Sequence, residues 1–214
     1  HQVRGFVGFL VLTWLVFGTW LWANSEHSWM DAFRIVALNV TSVVTTTGVA
    51  LGDYTLWGSF SVLLFFYLTF VGGCSGSTAG GLKIFRFQVA YVLLKANLQQ
   101  LIHPRAVIKQ QYNGHNLDED IVRSLITFSF FFTITIGLIA LGLALIGLDW
   151  VTALTGAATA VCNVGPGLGP IIGPVGNFST LPDAAKWLLT IGMLLGRLEI
   201  LTVLVLLTKA FWKH

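Results

Sequence analysis

The chain has 214 residues, 55% of them hydrophobic and only 10% charged, with a mean hydropathy of +0.80. Soluble domains carry about 25% charged residues, so an ordinary soluble enzyme, a disordered chain and a nucleic-acid-binding module are excluded. The net charge of +3 does not alter this, because no basic face is dense enough for nucleic acid. Cys74 and Cys162 lie in Gly-rich or apolar stretches, so no disulfide framework is expected. The chain opens on His1 with no signal-peptide pattern, and it is expected to be a piece of a longer protein.

The charge-free intervals organise the chain. Uncharged runs of 21, 18, 29, 25 and 33 residues lie between Arg4 and Glu26, Arg34 and Asp53, Asp53 and Lys83, Arg123 and Asp149, and Asp149 and Asp183. A membrane helix needs about 20 apolar residues. Gly5–Ala23, Trp57–Val71 with its continuation, and Ser124–Leu148 read as spans. Trp187–Leu207 reads as a fourth, apolar except for Arg197 and Glu199.

Two intervals differ. Ala32–Ala50 starts as a helix and then runs into Thr45-Thr46-Thr47-Gly48. Val151–Pro182 starts as a helix and then runs into Cys162-Asn163-Val164-Gly165-Pro166-Gly167. Each helical part is about 12 residues, too short to cross. Non-helical backbone at membrane depth survives only where protein or water covers it. Both intervals therefore read as re-entrant loops, with half-helices expected over Trp29–Val44 and Trp150–Val161. A kinked core helix is the alternative, and the matching break in the second half of the chain argues against it.

The resulting order is span, loop, span, polar connection, span, loop, span. Superposing Gly48 on Gly165 gives two tandem units offset by about 117 residues, with the boundary near Gln100–Asn116. The side away from the loops carries Arg4, Lys83, Arg86, Lys95, Arg105, Lys109, Arg123, Lys209 and Lys213. The loop side carries only Arg34 and Lys186. The positive-inside rule puts the nine in the cytoplasm. Glu26, Asp31, Asp53, Asp149 and Asp183 then form an acidic outer mouth that attracts cations. Trp20, Trp22, Trp57, Trp150, Trp187 and Trp212 stand near span ends, where interfacial belts form.

A cation that sheds its water needs replacement oxygens. Carbonyls of an extended strand supply them, and Gly permits the required dihedrals. The half-helices would aim C-terminal ends, which carry partial negative charge, at the membrane centre. Neither loop contains a carboxylate, which favours a carbonyl filter over an acidic ring.

The segment Gly72-Gly73-Cys74-Ser75-Gly76-Ser77-Thr78-Ala79-Gly80-Gly81 interrupts the second span. Leu82 stands where a phosphate-binding loop needs Lys, and Ser77 stands where a serine elbow needs Gly. A helix does not run well through so many glycines. The segment is expected to form an intramembrane loop lining a cavity. From Trp57 to Gly72 is about 22 Å of helix, and from Ala184 to Arg197 about 20 Å. Loop and arginine are therefore expected at similar depth, on the cytoplasmic side of the filter, as a barrier to cations. A structural ion pair is the alternative role for Arg197. Glu199 faces roughly the other way on a helix, so Lys83 or Arg86 would suit Glu199 better.

The two loop sequences, the Gly72–Lys83 segment and Gly196-Arg197-Leu198-Glu199, taken in order, closely resemble the Trk/Ktr/HKT potassium transporter superfamily. The resemblance is nearest to the bacterial TrkH type and covers essentially the whole chain. It implies an all-α integral membrane fold of tandem helix–pore-loop–helix repeats, related to potassium channel pores. Residues 1–104 look like the family's third repeat and 105–214 like its fourth. The first two repeats would be missing partners of this chain. It implies potassium sites at Thr46, Thr47, Gly48, Asn163, Val164 and Gly165, supported by Thr45, Val49, Cys162, Pro166 and Gly167. Val49 stands where the family often has an aromatic. It implies a gate made of Gly72–Gly81 and Arg197. Potassium would be the transported ion, with no organic cofactor in this chain. Expected partners are a second copy in a homodimer and a cytosolic TrkA-type ring that holds the nucleotide. The expected location is the bacterial inner membrane, with the basic connection and C-terminus in the cytoplasm.

Other classes stay open at this point. A sodium-permeable member of the same superfamily is one. A coupled secondary transporter is another, and it would need more than backbone ligands. An intramembrane enzyme would need a nucleophile–base pair, and none is visible. The five histidines (His1, His27, His103, His115, His214) are scattered, so no metal-ligand cluster is expected.

Overall fold

The computed structural model describes residues 2–104, 110–112, 114–198, 200–206, 209 and 211–213, with backbone only at 115, 201, 204 and 213. Helix α1 (Gln2–Asn24) leads into α2 (Trp29–Val44), a 3-10 turn at Tyr54–Trp57 and α3 (Ser59–Phe70). The strands β1 (Val71–Gly72) and β2 (Leu82–Lys83) precede α4 (Ile84–Ile102). A hairpin of β3 (Gln111–Tyr112) and β4 (His115–Asn116) follows. The second half holds α5 (Glu119–Leu145), α6 (Trp150–Cys162), α7 (Asp183–Arg197), α8 (Ile200–Leu206) and a 3-10 turn at Phe211–Lys213.

Two described helices, α1 of 23 residues and α5 of 27, are long and apolar enough to cross a bilayer. Much of their surface is apolar and uncovered: Leu12 is 61% exposed, Leu138 64% and Leu145 89%. Such surface suits hydrocarbon rather than water. The other two expected spans come as shorter pieces. Helix α3 stops after 12 residues, and the chain resumes as α4 only beyond the Gly-rich segment. Helix α7 runs 15 residues to Arg197, and α8 resumes at Ile200. Glu199 lies outside the described residues, as do His1, Arg105, Lys109 and His214.

Helix α2 packs on α1, and α6 packs between α5 and α7 with α3 alongside. Helix α6 is buried along nearly its whole length. Its small residues, Ala157, Ala158, Thr159 and Ala160, allow that close approach. Helix α2 buries Ala32, Val36, Asn39, Val40 and Val43, one face at helical spacing. Asp149 caps α6, its side chain accepting from the Thr152 N–H at 3.0 Å. Tyr54 stacks on Phe65 at 3.9 Å between ring centres, and Phe17 meets Phe65 edge-on. This aromatic cluster joins the turn after α2 to α1 and α3. The Tyr112 hydroxyl donates to Gln88 Oε1 at 2.7 Å and ties the β3–β4 hairpin to α4.

Candidate functional site

The two helix breaks follow one backbone path. The Thr46 N–H donates to Val43 O at 3.1 Å, and the Asn163 N–H donates to Ala160 O at 3.1 Å. The next N–H in each case, at Thr47 and Val164, reaches back to Ser42 O (2.8 Å) and Thr159 O (3.1 Å). Each corresponding pair is 117 positions apart. Thr46 and Asn163 are the only non-glycine residues with positive φ among the described residues, at 56° and 55°. Gly48 and Gly165 follow with φ of 80° and 115°. The ends of α2 and α6 therefore unwind in the same way, and the left-handed turn ends each helix.

The two extended segments lie side by side. A Cβ on Gly48 would overlap the Val164 carbonyl, and one on Gly165 would stand 3.6 Å from Gly48 Cα. Glycine is required at 48 both for its φ and for this approach. Of the other predicted filter residues, Val164 and Cys162 are buried, while Thr47, Val49 and Gly165 are exposed. The Asn163 side chain turns away, donating to Met193 O (3.2 Å) and Val161 O (3.3 Å). The Thr45 hydroxyl donates to Thr41 O at 2.7 Å and lies 2.8 Å from Thr47 Oγ1. The Gly167 N–H donates to Ile172 O at 2.7 Å, and Pro166 is half-buried beside it.

Residues that the sequence reading did not single out hold the outgoing strands. Asn39, fully buried, accepts from the Leu51 N–H (2.7 Å) and donates to Leu51 O (3.1 Å). In the second unit Thr155 Oγ1 accepts from the Leu168 N–H at 3.1 Å and sits 3.2 Å from Leu168 O. Thr159 Oγ1 accepts from the Gly165 N–H at 3.1 Å. A polar residue on an otherwise apolar helix face is the signal that marks each of them.

The Gly-rich segment is a loop pinned at its base. Strands β1 and β2 pair in parallel, Val71 with Leu82 and Gly72 with Lys83. The Ile84 N–H donates to Gly73 O at 3.1 Å. Within the loop the Ser77 N–H reaches Cys74 O at 3.0 Å. Lys83 Nζ donates to Ser77 O (2.7 Å) and Ala79 O (2.5 Å). The Arg197 guanidinium donates to the carbonyl between them, that of Thr78. Ser75 Oγ accepts from Gln2 on α1 at 3.0 Å. A cavity of about 390 Å³ lies against residues 76–81, walled by Lys83, Arg86, Phe128, Gly196 and Arg197. The Arg86 guanidinium sits 3.7 Å from the centre of the Phe128 ring.

The Gly-rich loop touches both helix-break segments. The Gly80 N–H donates to Thr46 Oγ1 at 3.1 Å. A Cβ on Gly80 would overlap the Cys162 carbonyl, and one on Gly196 would overlap the Val161 carbonyl. Of the acidic residues expected at the outer mouth, two besides Asp149 have local partners. Asp53 caps the Tyr54–Trp57 turn through the Thr55 N–H at 2.9 Å. Asp183 pairs with Lys186 at 3.1 Å.

Comparison with known proteins places this geometry. The TrkH family model, described as cation transport protein, matches residues 5–213. A Trk system potassium uptake protein TrkI from Halomonas elongata is 58% identical over all 214 residues. A TrkH from Vibrio parahaemolyticus is 35% identical over 213 residues. The chain spans 43% of the length of each of these relatives. The crystal structure of the potassium transporter TrkH from Vibrio parahaemolyticus superposes with a TM-score of 0.91 at 34% identity, covering 99% of this chain and 45% of that one. The chain belongs to the TrkH family of cation transport proteins, a family of transporters and not of enzymes.

Proposed function

We propose that this chain forms two of the units around a potassium-conducting pore in a bacterial inner-membrane Trk-type uptake protein. Residues 1–104 and 105–214 are the two units. The observation that carries the reading is the shared path of Thr45–Val49 and Cys162–Gly167, with Gly48 against the Val164 carbonyl. Two strands that follow one path and meet at glycine are suited to ringing an ion with carbonyls. The carbonyl ends of α2 and α6 add partial negative charge at the same place. Potassium sheds water there onto oxygens of Thr46, Thr47, Gly48, Asn163, Val164 and Gly165. The relatives' name, Trk system potassium uptake protein, supports potassium as the ion.

In this reading Gly72–Gly81 and Arg197 form the gate. A fixed guanidinium and a glycine loop at the inner end of the path oppose cation passage. The basic connection and C-terminus face the cytoplasm. A second copy and a cytosolic nucleotide-binding ring of TrkA type are the partners, with the nucleotide on the ring.

The test is ion flux through the complete protein in liposomes, with potassium, rubidium and sodium compared. Potassium and rubidium should pass well above sodium, and Gly48→Ser should weaken that preference. Equal sodium flux in the unmutated protein would remove the potassium claim. Absence of cation flux from inserted protein with the loop deleted would sink the pore reading.

A further inference from the structure

Thr46 and Asn163 share a backbone conformation but not the means of holding it. Asn163 is held within its own helical unit, through its amide on Met193 O of α7. Thr46 is held from the loop, where its Oγ1 accepts the Gly80 N–H at 3.1 Å. A β-branched residue in the left-handed region is strained and keeps that shape only where its surroundings impose it. For Thr46 part of those surroundings is a loop, not a helix. The loop stretch is itself gripped residue by residue. Lys83 holds the carbonyls of Ser77 and Ala79, and Arg197 holds that of Thr78. The next residue, Gly80, reaches Thr46 on one strand and lies against the Cys162 carbonyl of the other.

We propose that Thr46 Oγ1 is one oxygen with two alternative partners, the Gly80 N–H when the loop is seated and a potassium ion when it withdraws. The inference rests on the proposed reading of Thr46 as a filter residue and of Gly72–Gly81 as a gate. A backbone N–H aimed at this oxygen puts partial positive charge where the innermost ion would sit. Loop and ion therefore exclude one another at this oxygen. Linkage then requires reciprocity. Potassium at the inner position favours the withdrawn loop, and withdrawal strengthens potassium binding. Gate and filter become one coupled device. The shared oxygen lies in the first unit, and the second unit meets the loop by packing, where Gly80 lies against the Cys162 carbonyl.

The experiment reads loop position through Cys74, a half-buried thiol in the loop. The complete protein in liposomes is treated with a charged thiol reagent in potassium or in choline at equal ionic strength, and a Cys74→Ser preparation subtracts other thiols. Potassium should speed modification at least about fivefold, the low end of ordinary coupling energies. Thr46→Ser keeps the oxygen and should keep the response. Thr46→Val keeps the shape without the oxygen, and should react fast in both salts. Gly80→Ala displaces the loop from Cys162 and should behave like Thr46→Val. A potassium response retained in either Thr46→Val or Gly80→Ala overturns the proposal, as does an unmutated protein indifferent to potassium. Rubidium flux on the same preparations separates the two readings. Flux unchanged by releasing the loop removes the gate itself. Flux raised, with Cys74 indifferent to potassium, removes only the shared oxygen.

Discussion

The side chain of Asn39 clamps both backbone polar atoms of Leu51, accepting from its N–H at 2.7 Å and donating to its carbonyl at 3.1 Å. The position 117 residues on, Leu168, is held by a different side chain: its N–H donates to the Thr155 hydroxyl at 3.1 Å, which lies 2.8 Å from Val151 O and 3.2 Å from Leu168 O. The strand leaving each helix break is thus fixed at one equivalent point by unrelated chemistry. Asn39→Leu should destabilise the complete protein by about 1–3 kcal/mol, because a buried backbone N–H and carbonyl are left unpaired. The check is thermal unfolding in detergent alongside the potassium-to-sodium flux ratio. A variant that melts like the parent and keeps its ratio would refute the clamp.

The cations that grip the loop carry a second prediction. Lys83→Met frees the carbonyls of Ser77 and Ala79, and Arg197→Ala frees that of Thr78. Each should raise basal rubidium flux at equal expression. Arg197→Lys, which keeps the charge, should raise it less than Arg197→Ala. Unchanged or lower flux in Arg197→Ala would count against a barrier role.

Glycines on the helices should divide by surroundings. Gly196 packs on the Val161 carbonyl, so Gly196→Ala must push α7 from α6. Its variant should melt at lower temperature. Among the described residues, nothing lies within 4 Å of a Cβ added at Gly137 on α5. Gly137→Ala should stabilise by about 0.5–1 kcal/mol, since glycine in a helix loses more backbone freedom on folding. Thermal melts of the two variants decide the matter, and equal shifts would refute the packing argument.

Helix caps offer a paired test. Asp149 caps α6 through the Thr152 N–H, whereas Ser28 precedes α2 with no side-chain cap bond. Asp149→Ala should lower stability by about 1 kcal/mol. Ser28→Ala should change it little. Chemical denaturation of the two variants reads the difference, and a larger effect at Ser28 would contradict the observed caps.

Much of this was legible in one dimension. Charge-free intervals marked the long helices, because hydrocarbon excludes charge along a whole span. Breaks at Thr45–Gly48 and Cys162–Gly167 marked where α2 and α6 end, because a helix stops where glycine and left-handed residues follow. The interruption at Gly72–Gly81 showed through composition, and α3 does stop at Phe70. The cut in the fourth span did not show, because apolar length alone does not reveal a turn near Arg197.

Tertiary packing decided everything that joins distant segments. Gly80 meets Thr46 across 34 positions, and Arg197 meets Thr78 across 119. That Gly48 needs to be glycine follows partly from its φ, which sequence suggests, and partly from the Val164 carbonyl, which only folding brings there. The sequence marks Asn163 as a filter candidate, but only the fold brings its side-chain amide to Met193 O of α7. Periodicity and charge report what each segment needs from its solvent. They carry no record of which carbonyl a given N–H will find, because that depends on how closely the small residues of α6 and α7 let the segments approach.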